Sequence, residues 1–597
     1  MIATPISSAF IRPTVPGHRF VPGRRLASRR GRIGAGLRGL SILLAAWLVC
    51  APFAGQAAPR APDELVIGIS QYPATLHPNI DSMLAKVYVL GLLRRPVVVY
   101  DPKWVLRCML CESLPTLENG GAQLEPLPPG QRMAGRTEGI AVTYTLNRRA
   151  VWGDGRPITS DDVIFTWKVG RDPRSGVASQ ETYRRIWRID RLSERRFTLH
   201  LDRVTFDYNA LTLEILPRHL EAPIFEADPT AYRHRTLFET DPTRSGLHFG
   251  PYRLTRVERG SYLVFERNPR WWGRRPYFRR IVVRAIEKTA ALEANLLSGT
   301  VDYVAGELGF SLDQALAFEV RHRGDFRVLY KPGLIYEHID FNLDNPVLGD
   351  RRVRRALAHG IDRSAISSQL FGGKQPVAAT NVSPLDWVYE PDVPRYPYDP
   401  AKAGELLDSA GWHRTGRGVR RNPSGEPLRL ELMTTAGNRT RELVEQVLQS
   451  QWRRIGVEVT LHNEPARVFF GETVARRKFP AMAMYAWISS PESVPRTTLH
   501  SSEIPTAGNG WSGQNATGYR SREMDRVIDR IETTLDRKRR KALWSKLQKI
   551  YARDLPVLPL YFRANAYPLP IWLGGIRPTG HQFPTTLWVE DWKRTGE

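Results

Sequence analysis

Thr143-Tyr-Thr-Leu-Asn-Arg-Arg-Ala-Val-Trp-Gly-Asp-Gly-Arg-Pro-Ile-Thr-Ser-Asp-Asp-Val-Ile-Phe-Thr-Trp-Lys168 reads as a strand, a tight glycine turn and the capped start of a helix. Val142, Tyr144 and Leu146 alternate with polar residues, the period of a half-buried strand. Trp152-Gly-Asp-Gly155 supplies the turn, with glycines where a positive φ is required. Thr159 or Ser160 then serves as N-cap, Asp161 and Asp162 suit the positive end of the helix, and Val163, Phe165, Thr166 and Trp167 begin its buried face. Nothing in this segment is catalytic.

Outward from it, the chain of 597 residues is long enough for more than one lobe, and its hydrophobic content of 42% is that of an ordinary globular protein. The formal charge is +25, but residues 1–58 hold eight arginines and no acid, so about +17 is spread over the rest. Such a charge suits nucleic acid or an anionic membrane face; an arginine-rich solvated surface is the simpler reading. Residues 1–58 have the layout of an export signal: a basic region to Arg38, an apolar run from Leu40 to Ala51, and small residues for cleavage near Ala57. Ser28-Arg29-Arg30 is a weak match to a twin-arginine signal, and Cys50 follows the bulky Val49, which disfavours a lipid anchor. No other stretch is long and apolar enough for a membrane helix. The expected location is therefore periplasmic, with the signal removed. Cys108 and Cys111 remain, too few ligands for structural zinc and outside any βαβ redox pattern. Export favours a short local disulfide between them, with buried thiols as the other reading.

Along the chain, Leu65–Ile69, Phe197–Leu201, Ile281–Ile286 and Val457–Leu461 read as strands, and Gly250–Leu254 with Tyr262–Phe265 as a hairpin about Arg259-Gly260. Gln123–Thr137 is proline-rich and reads as an exposed loop. Helices are expected at Ala290–Leu297, Arg351–Arg363, from Tyr398 to Ala410, and at Arg439–Ile455. Two further helical faces are marked by Met524, Val527, Ile528 and Ile531 and by Leu543, Leu547 and Ile550. On the helix Arg351–Arg363 the arginines 351, 352, 354 and 355 form a basic face, read as solvated rather than as an anion site.

Several ordered segments carry a resemblance. Thr75-Leu-His-Pro78, Glu112-Ser-Leu-Pro-Thr-Leu-Glu118 and the opening segment are followed by Gly250-Pro-Tyr252, Arg267-Asn-Pro269 with Trp272, and Leu297-Ser-Gly-Thr-Val-Asp302. Phe341-Asn-Leu343, Val353–Arg363, Ala410-Gly-Trp412, Asn515-Ala-Thr-Gly-Tyr519, Asp525 and Asp554-Leu-Pro-Val-Leu-Pro-Leu-Tyr561 complete the series. In that order they resemble the extracytoplasmic solute-binding proteins of the oligopeptide/dipeptide type, solute-binding protein family 5 of ABC importers. The resemblance implies an α/β, two-lobed periplasmic-binding-protein-like fold of type II that encloses its ligand by hinge closure. It implies an export region over 1–58, then lobe 1 from 59–100, 241–335 and 556–597. A subdomain over 101–240 is inserted in that lobe, and lobe 2 covers 336–555. It further implies a monomer without cofactor or metal that captures a peptide or peptide-like solute, held by its backbone, and delivers it to membrane permease subunits.

Ala483-Met-Tyr-Ala-Trp-Ile-Ser-Ser-Pro-Glu492 resembles the pocket segment of that family, in which a Trp is followed three residues later by an Asp that pairs with the peptide α-ammonium. Trp487 is present, but position 490 is Ser, which accepts a hydrogen bond and cannot neutralise a cation. Glu492 is the available substitute; a blocked peptide or another small organic solute stays open. Candidate ligand-binding residues are therefore Tyr485, Trp487, Ser489, Ser490 and Glu492, with Asn79, Asp81 and Ser82 on a facing wall and Trp511 and Asn515 in a glycine-rich cover. Capture of a metal complex, haem or a sugar is the alternative, and a secreted hydrolase a remote one. The chain lacks H-E-x-x-H, G-x-S-x-G and G-x-x-x-x-G-K-[ST], and its G-x-G-x-x-G match, Gly34–Gly39, lies within the export region before any strand. Export also separates the chain from nucleic acid.

Overall fold

The computed structural model describes residues 61–595, apart from 81, 82, 133–136, 212, 415, 417 and 510. The expected export region, with Cys50, and the candidates Asp81 and Ser82 lie outside the described residues.

The opening segment folds as strand Glu138–Thr145, a turn with Gly155 at φ 96°, and helix Ser160–Arg171. Thr159 is the N-cap, and its backbone N–H donates to Asp162 Oδ2 at 2.8 Å. Asp162 also accepts from Trp152 Nε1 at 3.3 Å and from the Arg218 backbone N–H at 2.9 Å, so one buried carboxylate ties turn, helix and the next helix together. The strand is central in an antiparallel sheet of order Ala122–Pro126, Glu138–Thr145, Arg196–Leu201 and Ile186–Arg191. Residues 123–126, read from the sequence as loop, are thus the edge strand of this sheet. Only Ala122 is buried, as suits an edge, and Pro126 sits at the strand end, where a missing N–H costs nothing.

A second sheet has the order Tyr303–Val304, Glu64–Ile69, Arg280–Ala285, Tyr262–Arg267 and Tyr252–Glu258, parallel over its first three strands. A third has the order Glu458–Glu464, Arg429–Thr435, Met482–Ile488, Phe326–Phe341 and Val557–Pro570. Its last two strands form a long antiparallel ribbon. Leu558, Leu560 and Tyr561 belong to the core built with Ile339 and Phe341, whereas Tyr567 and Leu569 belong to the core built on Leu65, Ile67 and Ile281. The ribbon's register shifts between Pro332 and Tyr336, where the Leu334 N–H donates to the Gly580 carbonyl at 3.0 Å.

The expected helix Arg351–Arg363 is two helices, Arg351–His359 and Arg363–Phe371. Gly360 closes the first, and Asp362 caps the second by accepting from Ala365 N–H at 2.8 Å. The basic face is also less solvated than expected. Arg354 is buried and donates to the carbonyls of Leu348, Gly349, Asp554 and Leu555, satisfying the C-terminal end of helix Arg537–Asp554. Cys108 and Cys111 are joined by a disulfide, with Cα atoms 5.2 Å apart.

Asp162→Ala strips the acceptor from four donors, the Thr159 N–H and hydroxyl, Trp152 Nε1 and the Arg218 N–H. We expect it to lower unfolding free energy by about 2–3 kcal/mol, measured by urea denaturation; a loss below about 0.5 kcal/mol would mean that the turn is held by packing alone.

Candidate functional site

Two cavities meet at the loop that follows strand Met482–Ile488. The larger, about 1110 Å³, has one wall from Arg185, Arg203, Phe206 and Asp207 and the other from Ser490, Glu492, Arg496 and Glu532. The two walls touch where Phe206 N–H donates to the Glu532 carbonyl at 3.0 Å. The smaller, about 130 Å³, is lined by Tyr336, His338, Asp340, Asn381, Trp487 and Tyr551 among others. Ser493 and Val494 line both.

Strand period places the floor of the smaller cavity. Tyr336, His338 and Asp340 are successive even positions of one strand and share a face; across the ladder Tyr336 pairs with Trp487 and His338 with Tyr485. The odd positions Ile339 and Phe341 enter the core instead. The Tyr336 and His338 rings stack at 5.0 Å, and the Tyr336 and Tyr551 hydroxyls are 2.7 Å apart. Tyr485 is wholly buried, and its hydroxyl donates to Asp340 Oδ2 at 2.5 Å. It lines neither cavity and packs beside His338 on the same face of the sheet, their ring centroids 4.6 Å apart.

The sequence candidates therefore divide. Trp487 and Ser489 line the small cavity, Ser490 and Glu492 the large one. Glu492 is already engaged: it accepts from Arg540 Nε and, at 3.0 Å, from Trp387 Nε1. Burial pushes its carboxyl above the usual carboxylate range despite the adjacent guanidinium. It is thus a poor partner for an incoming cation. Asn79 points its amide to the Glu214 carbonyl at 3.0 Å and ties its loop to the 101–240 segment. Asn515 is buried, donating to the His500 and Tyr519 carbonyls and accepting from Thr517 Oγ1 and the Tyr519 N–H, so it builds its own loop. Trp511 is 37% exposed and, like Asn79 and Asn515, lines neither cavity. Sequence reasoning missed His338, Asp340 and Asn381. The charged and polar Glu337, His338 and Asp340 within the buried end of the strand were the available signal.

Residues 136–505 match the family described as bacterial extracellular solute-binding proteins, family 5, middle region. The oligopeptide-binding protein AppA of Bacillus subtilis is 25% identical over 527 residues, covering 87% of this chain and 90% of the relative. An oligopeptide-binding protein from Thermus thermophilus, solved with a pentapeptide, is similar at 28% identity and TM-score 0.64, covering 88% of this chain and 96% of the other. NikZ from Campylobacter jejuni, solved with Ni(L-His), shares the fold at 22% identity and TM-score 0.66, covering 90% of this chain and 100% of the other.

Removing one half of a buried ion pair leaves the other uncompensated. Glu492→Ala should therefore cost about 3–5 kcal/mol in a denaturation experiment, whereas Glu492→Met combined with Arg540→Met should recover most of it. Equal losses in the single and double variants would show that the pair itself stabilises.

Proposed function

The chain belongs to the bacterial extracellular solute-binding proteins of family 5, and from that membership we propose that it captures a peptide or peptide-like solute in the periplasm and hands it to the permease of an ABC importer. The observation that carries this reading is the large two-walled cleft: at about 1110 Å³ it exceeds the roughly 300–1,000 Å³ typical of small-molecule pockets. A peptide held mainly through its backbone needs such room, and its polar groups need partners from both walls once water is excluded. The pentapeptide complex of the Thermus thermophilus relative supports the same ligand class.

In this reading the ribbon Phe326–Phe341 with Val557–Pro570 is the hinge. It runs from one hydrophobic core into another and is irregular at Pro332–Tyr336, between them. Lobe 1 holds 59–100, 241–335 and 556–597, with 101–240 inserted, and lobe 2 holds 336–555. Bending there swings the Phe206 wall against the Ser490–Arg496 wall, and the closed shape is what the permease receives. The protein acts as an exported monomer after removal of residues 1–58. It binds and releases its solute unchanged.

A peptide that binds the native state alone stabilises it by about 2.7 kcal/mol at one hundred times its Kd. We expect a rise in melting temperature with peptides; stabilisation by sugars or metal chelates and by no peptide would overturn the reading. Trp487→Ala, which removes a wall of the smaller cavity, should weaken peptide binding about 30-fold in calorimetry with the fold retained. An unchanged Kd would remove Trp487 from the ligand's surroundings.

A further inference from the structure

Neither Ser490 nor Glu492 can serve as counter-ion to a ligand cation in the large cleft: one carries no charge and the other is held by Arg540. We propose that the smaller cavity supplies this function, with Asp340, His338 and Asn381 forming an anchor for a primary ammonium group of the captured solute. The inference rests on the peptide-like ligand class proposed above and assigns it a chemical handle.

The acceptor arrangement is the first argument. Asp340 is 3% exposed; its Oδ2 is taken by the Tyr485 hydroxyl, and its Oδ1 lies 3.4 Å from His338 Nε2 without a hydrogen bond. His338 is 1% exposed, and its Nδ1 lies 3.2 Å from the Tyr336 carbonyl. A carbonyl only accepts, so Nδ1 carries the proton there, and in the neutral ring Nε2 is a bare acceptor. His338 Nε2 and Asn381 Oδ1 are thus buried polar atoms with no partner, and Asp340 Oδ1 stands 3.4 Å from the first at the same cavity. Buried acceptors in that state are costly until a donor arrives. An ammonium group brings three N–H bonds and a charge opposite to that of Asp340.

The surroundings favour a cation, and no lysine or arginine competes for the carboxylate. Among the described residues lining the cavity there is no Lys or Arg. The nearby Arg363 spends its guanidinium on the carbonyls of Ala378, Tyr396 and Pro559. Tyr336, Trp487 and Tyr551 wall the site with aromatic rings, whose faces attract cations. A guanidinium matches both oxygens of a free carboxylate, whereas Asp340 offers one, which suits a compact point charge. The volume of about 130 Å³ equals about four waters at roughly 30 Å³ each, room for an ammonium and a short alkyl stem. The approach has the same bias: seven carboxylates and three guanidiniums line the large cleft, in a chain of net charge +25.

Two sources supply this chemistry, the amino terminus of a peptide and a lysine side chain. Four degenerate tetrapeptide pools distinguish them: free or N-acetylated, each containing either lysine or its uncharged isostere norleucine. Retention by the purified protein is read by native mass spectrometry. We expect the acetylated norleucine pool to be retained at least about ten-fold less than a pool that carries an ammonium. Retention of the free norleucine pool assigns the anchor to the amino terminus, and retention of the acetylated lysine pool assigns it to the side chain. Asp340→Asn should abolish the discrimination, all four pools being then retained alike. Equal retention of all four pools by the unmodified protein, a comparison that needs no variant, overturns the anchor and leaves the peptide reading standing. Retention of none overturns the peptide reading and the anchor with it.

Discussion

The structure depends on one constraint, the continuous pairing of Phe326–Phe341 with Val557–Pro570. Val557–Pro570 buries side chains in two separate cores, while Phe326–Phe341 enters the first through Ile339 and Phe341 and packs its half-buried Leu329 against the second. Stability of both halves is therefore coupled through backbone hydrogen bonds, while the irregular stretch between them is free of that packing. Gly580, at φ 77°, brings its carbonyl to Leu334 at this point, a backbone conformation that side-chain-bearing residues rarely adopt. The ribbon also carries the face on which Tyr336, His338 and Asp340 stand, so its irregular stretch and the floor of the smaller cavity lie within a few residues of one another.

Arginine has a structural role in this protein that its surface charge conceals. Arg354 closes the end of a long helix, Arg363 gathers three carbonyls, and Arg540 holds Glu492 beneath the cleft loop. Arg441 reaches Glu337 at 2.6 Å, and Arg563 meets the other oxygen of the same fully buried carboxylate. Buried guanidiniums of this kind fix the geometry of neighbouring segments more than they add stability, because desolvation offsets much of the attraction.

Much of the fold was legible because its elements are locally periodic: the strand, turn and capped helix of the opening segment lie where the alternation and the Thr159 cap place them. Two of the failures were also local. Gly360 is tolerated inside a helical pattern, so the stop before Asp362 was hidden, and the prolines after Gln123 masked an edge strand. Arg354 read as solvated because its four carbonyl partners come from segments up to 201 residues away. Of the cavity linings, the sequence made legible only the local segment Trp487–Glu492. Trp487 stands out in a local motif, but the engagement of Glu492 is set by Arg540, 48 residues on, and Asp340 meets Tyr485 across 145 residues. No single-sequence pattern encodes contacts of that range.

The strand bearing His338 and Asp340 divides two tasks between its faces. Odd positions such as Ile339 and Phe341 are locked into the core, and even positions look into the cavity. In the proposed role, substitution at an even position changes the chemistry offered to a solute while leaving Ile339 and Phe341 in the core. The cargo of such a protein is thus free to drift by single steps, each starting from a chain that still folds, and a new diet requires no new architecture.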